Sequence, residues 1–141
     1  MGPGARSRQK PSDDAQQRYE TDAALAARRA ELLDAAGEAE SRLREAQGRH
    51  APEAELRRVA LDLDTALTAA MHAAFAARRA EIGPLGYDDR IYRRKKMATP
   101  SVHALTAEAE RLLTLRETHR LNGIPAVTHE PGPLMSPVTK T

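Results

Sequence analysis

The chain has 141 residues and contains no cysteine, no tryptophan, one phenylalanine and three tyrosines. Without cysteine there are no disulfides and no thiolate chemistry, and a zinc site would have to be built from histidine and carboxylates alone. The histidines do not provide one: His50, His72, His103, His119 and His129 stand in five separate places, with neither an H-E-x-x-H motif nor a pair four residues apart. Nor is there a run of roughly 18 uncharged apolar residues, the length a membrane-spanning helix needs. No apolar segment follows the early basic residues Arg6, Arg8 and Lys10, so the expectation is a soluble, intracellular protein, cytoplasmic if the source is bacterial.

Large side chains are scarce as well. Apolar residues make up 40% of the chain, but alanine dominates them and aromatics amount to 3%. At about 25 cal/mol per Å² of apolar surface removed from water, an alanine core offsets little chain entropy. Helix pairing, self-association or a larger partner is therefore expected to complete the fold.

What the chain does have is helical periodicity. Asp14 is read as an N-cap with Gln17 three residues later, and no proline interrupts the chain until Pro52. A first helix is predicted over 14–47, with Leu25, Leu32, Ala36 and Leu43 on one stripe and Ala39 and Ala46 beside them. Gly48 can close it. Pro52 suits the first turn of a second helix over 52–82, whose stripe is Leu56, Leu63, Leu67 and Met71, flanked by Ala60 and Ala74 and ended by Gly83 and Pro84. So short a link favours a long antiparallel helical hairpin, coiled-coil-like, with those eight stripe residues as its packing interface. Glu38 with Arg42, Glu40 with Arg44, Glu45 with Arg49 and Glu53 with Arg57 stand four apart in the favourable order, worth about 0.2–0.5 kcal/mol each.

Residues 83–99 read as a connector, and Thr99 and Pro100 open a third helix over 100–122, with Val102, Leu105, Ala109, Leu112 and Leu113 on one face. The ends, 1–13 and 123–141, are rich in glycine, proline or both and read as a disordered arm and an extended tail. The fold class is all-α.

Charge is concentrated in the connector. Arg90, Arg93, Arg94, Lys95 and Lys96 occupy five of seven consecutive positions, with Ile91 and Tyr92 between them and only Asp88 and Asp89 as counter-charge. A basic run beside an aromatic ring suits a phosphate backbone with a base to stack, but such a run also serves as a solvated loop, a contact for an acidic protein surface, an import signal or a contact for anionic lipid. Catalytic signatures are missing: neither G-x-x-x-x-G-K-[ST] nor G-x-G-x-x-G follows a strand, and no histidine and serine form a recognisable triad.

These features favour a non-enzymatic structural or adaptor protein, a subunit of a larger assembly that meets protein partners or its own copies through alanine-rich helix faces and extended arms. The alternative is a nucleic-acid-binding accessory protein using the connector, with Arg90, Tyr92, Arg93, Arg94, Lys95 and Lys96 as contacts. Neither requires a cofactor, a small-molecule substrate or membrane insertion.

A repeated phrase marks the two long helices: residues 23–32 read AALAARRAEL and residues 73–82 read AAFAARRAEI. The first copy is expected to be helix interior and the second the helix end. There Arg78, near the middle of its stripe, should contact an acidic residue of the first helix or of a partner.

Overall fold

The computed structural model describes residues 9–125. Within them the chain is all-helical, with α1 over Asp13–Ala26, α2 over Arg29–Gly48, α3 over Glu53–Ile82, a 3-10 turn over Pro84–Tyr87, α4 over Arg90–Met97 and α5 over Pro100–Asn122. Residues 1–8 of the arm expected over 1–13, and residues 126–141 of the tail expected over 123–141, with His129, lie outside the described residues, and Asp13 of the expected arm already belongs to α1.

The longest helix, α3, is central: α1, α2 and α5 all pack on it. Its buried face holds Val59, Ala60, Leu63, Leu67, Ala70, Met71 and Ala74, continued by Ala36, Ala39, Leu43 and Ala46 of α2 and by Ala109 and Leu112 of α5. More than half of that cluster is alanine. A methyl side chain lets helix backbones approach closely but contributes little area, so Leu43, Leu63, Leu67, Met71 and Leu112 carry most of the transfer energy. Of the remaining stripe residues, Leu32 and Leu56 pack against the core half-buried, and Leu25 is half-buried in α1. On α5, Val102 is fully buried, whereas Leu113 reaches the surface at 36% exposure, outside the face assigned to it.

Four local features depart from the sequence-based expectation. The first helix is not continuous: it breaks at Ala27 and Arg28, inside the segment expected to be helix interior. No glycine or proline marks the place. The Arg28 N–H turns back to the Leu25 carbonyl at 3.0 Å, a tighter, 3-10-like closure, before α2 resumes. The N-cap of α1 is Ser12 rather than Asp14, its hydroxyl accepting from the Ala15 N–H at 3.0 Å. The connector is itself largely helical. Gly83 ends α3 with a φ of 100°, a conformation natural to glycine, and Pro84 begins the 3-10 turn. Asp89 then caps α4, accepting from the Ile91 and Tyr92 N–H groups at 3.0 Å each. Thr99 precedes α5 as expected, but its hydroxyl donates to the Lys96 carbonyl at 2.7 Å instead of capping.

The exposed charges pair sparingly. Of the four pairs expected four residues apart, Arg44 meets Glu40 at 2.9 Å, while Arg49 turns to Glu55 across the link between α2 and α3. No helix among the described residues is long and apolar enough to cross a membrane.

Candidate functional site

The break at Ala27 and Arg28 leaves α1 free to lie against the far end of α3, where it meets the 3-10 turn. Two carboxylates stitch this junction from opposite sides. Asp22 of α1 accepts from Arg79 of α3, with Nε at 2.8 Å and Nη2 at 3.1 Å, and also from the Tyr87 hydroxyl of the turn. In the other direction, Asp88, just after the turn, accepts from the Ser12 N–H at 2.7 Å and the Ser12 hydroxyl at 2.8 Å. Ser12 therefore caps α1 and ties it down at once.

The electrostatics follow from these contacts. Burial opposes ionisation of Asp22, but the hydrogen bonds from Arg79 and Tyr87 outweigh it and hold the carboxyl below its ordinary range. Burial and the adjoining carboxylate push the Tyr87 phenol up, so it stays protonated and donating. The Ser12 backbone N–H, and then its hydroxyl, lower Asp88.

Between α1, the end of α3, the turn and α4 lies a cavity of about 690 Å³. Six arginines line it: Arg18 from α1, Arg78 and Arg79 from α3, and Arg90, Arg93 and Arg94 from α4. Only Asp14 and Asp22 oppose them, a difference of four positive charges. The floor is apolar, with Ile82, Met97 and the backbone of Gly86. Glycine at 86 is required by close approach, since a Cβ there would stand 2.4 Å from Ile82 Cγ2. It also leaves the Gly86 carbonyl open to the Arg93 guanidinium, which donates to it.

The six arginines are not equivalent. Arg79 and Arg93 are built into the wall by Asp22 and Gly86, and Arg18 reaches Asp14 at 3.4 Å. Arg78, Arg90 and Arg94 have no carboxylate within ion-pair distance among the described residues. The acidic contact expected for Arg78 is made by its neighbour Arg79 instead. Arg78 lies with its guanidinium 5.2 Å from the centre of the Phe75 ring, and its Nε is buried without a hydrogen-bond partner among the described residues.

Helix α4 divides the basic run between two surfaces. Arg90, Arg93 and Arg94 line the cavity; Tyr92, Lys95 and Lys96 do not. Lys95 is exposed, and the Lys96 ammonium sits 5.6 Å from the centre of the half-buried Tyr92 ring. The basic run thus supplies half of the cavity's arginines. Arg18 and Asp22 come from α1, far away along the chain, Arg79 comes from the last turn of α3, and no local pattern in the sequence singles them out.

Among the described residues no histidine lines the cavity. His72 is exposed, and His119 sits 2.7 Å from the Ala60 carbonyl at the opposite end of α3. Among the described residues no group of three or more histidines and carboxylates is placed to hold a metal ion. The chain matches no protein-family model, and neither a curated protein nor a solved structure resembles it.

Proposed function

We propose that the protein is a non-enzymatic nucleic-acid-binding accessory protein that grips phosphate groups with α4 and the adjoining cavity. The observation that carries this reading is the convergence of six arginines from three helices on one recess, three of them without a carboxylate among the described residues. Four of the six are exposed and hydrated, and the concentration of like charge on one recess attracts anions, with guanidinium groups matching phosphate in charge and geometry. The aromatic ring and lysines on the outer face of α4 extend the same surface.

The scaffold fits that role as an antiparallel, coiled-coil-like hairpin of α1–α2 and α3, buttressed by α5. Its link end is marked by Arg49 and Glu55, and its far end by Asp22 and Arg79. The adaptor reading is weaker, because Ala36, Ala39, Ala60, Ala70 and Ala74 are already covered by neighbouring helices of the same chain. Its remaining support is the exposed apolar side chains, Leu113, Leu115 and Leu121 of α5, Leu61 of α3 and Ile91 of α4.

The test is salt-dependent binding of single-stranded and duplex DNA and RNA. Substituting Arg90, Arg94 and Lys95 together by alanine should weaken binding and flatten the plot of log affinity against log salt by about 0.7–0.9 for each phosphate no longer neutralised. Arg93 is left in place because it holds the Gly86 carbonyl. A triple variant with the parent's affinity and slope would remove α4 as the contact.

A further inference from the structure

The outer face of α4 alone would serve any phosphate backbone, but the recess behind it is selective. The geometry points to the cavity as a pocket for one nucleotide of a single strand, its phosphate met by Arg78, Arg90 and Arg94 and its base laid on the apolar floor. This inference rests on the nucleic-acid reading and narrows it.

The lining has two characters in one enclosure. Arginine side chains dominate the lining, while the half-buried Met97, the Gly86 backbone and the small part of Ile82 that is not covered supply its apolar part. A bare anion has no use for that apolar part, and a purely apolar ligand has none for the arginines. A nucleotide combines a flat, largely apolar ring with a phosphate, and the volume of about 690 Å³ accommodates one. Arg78 is the residue best placed to read the combination. Its guanidinium lies 5.2 Å from the centre of the Phe75 ring and its side chain lines the cavity. Arg79 and Tyr87, committed to Asp22, hold the wall that keeps the cavity open.

A duplex keeps its bases stacked and paired inside, so it can present phosphates to α4 but cannot seat a base on Ile82 and Met97 without unpairing. A single strand can splay one base out. Selectivity for strand over duplex therefore separates the pocket from the outer surface.

The experiment measures fluorescence anisotropy of a labelled oligodeoxythymidine strand and of a labelled duplex of the same length, at one salt concentration, against the parent, Arg78→Gln and Thr21→Trp. Thr21 lines the cavity on exposed α1 surface, and a tryptophan there fills the space without removing charge. Thermal melting followed by circular dichroism establishes that both variants fold as the parent does. The parent should favour the strand by about tenfold or more, and each variant should lose that preference, its strand affinity falling further than its duplex affinity. Equal binding of strand and duplex by the parent, with neither variant altered, would overturn the pocket and leave phosphate binding by α4 standing. Binding of neither probe, or of poly-glutamate or anionic vesicles in their place, would overturn both readings.

Discussion

The two ends of α3 carry similar residues in opposite states. Near its start, cations find carboxylates: Arg49 pairs with Glu55, and Arg120 of α5 grips Asp64 with Nε at 2.6 Å and Nη2 at 3.2 Å. Near its finish, one carboxylate, Asp22, satisfies Arg79 and Tyr87 together, while further arginines crowd the same recess unpaired by any described residue. Burial alone does not explain the difference, since Asp64 and Asp22 have similarly covered side chains, 17% and 14% exposed. The first end uses charge to fasten α5 to α3. The second fastens α1 with one ion pair and retains a surplus of arginines facing a cavity.

The largest effect on that comparison should come from removing Asp22, the carboxylate that pairs with Arg79 at the second end. Asp22→Ala leaves the Tyr87 hydroxyl and the Arg79 guanidinium without their acceptor and adds another uncompensated cation to the recess. The expected loss is about 1–3 kcal/mol of unfolding free energy, held down because Arg79 is 43% exposed and can be rehydrated. Urea denaturation gives the number directly. A variant as stable as the parent would mean that α1 is held by its cap and its packing alone, and that the stitch is incidental.

Acid offers a graded version of the same test. The Asp22, Asp64 and Asp88 carboxyls are all held below their ordinary values. For a carboxyl whose folded pKa is depressed, the unfolded chain binds more protons as pH falls, so the stabilisation is complete above the unfolded value of about 3.9 and is lost as pH falls through the folded one. Stability should hold from neutrality to about pH 5 and then decline, and the decline should be shallower in Asp22→Ala. An identical acid limb in parent and variant would place the acid sensitivity elsewhere and level the two ends.

The fold class and the candidate site are legible in the sequence to different depths. Apolar spacing over Leu56, Leu63, Leu67 and Met71, with Gly83 and Pro84 behind, locates α3 within a residue because those signals are local. The basic run is legible for the same reason. What local signals do not carry is the break at Ala27 and Arg28, which lies among good helix formers and has no glycine or proline to announce it. That break sets where α1 lies, and so brings Asp22 to Arg79, 57 residues away. The acidic contact expected of Arg78 fails for the same reason: with α1 displaced, the carboxylate meets the next residue. The connector reads as irregular because its first proline and its glycines cluster at 83–86, leaving Asp89 to cap a short, highly charged helix.

The smallest effect belongs to the first end of α3 and decides whether the two ends are functionally distinct. Arg49 and Arg120 are exposed or half-exposed and their partners lie outside the cavity lining, so neither should contribute to ligand binding. Replacing each by alanine removes the same formal charge as Arg90→Ala or Arg94→Ala. If binding follows net charge, all four substitutions should weaken it alike. If it follows the geometry of the recess, affinity for a single strand should be unchanged in Arg49→Ala and Arg120→Ala and reduced in the other two, most visibly at low salt, where screening over roughly 10–30 Å is weakest. Equal losses across the four variants, measured by anisotropy at two salt concentrations, would reduce the cavity to one part of a generally cationic surface.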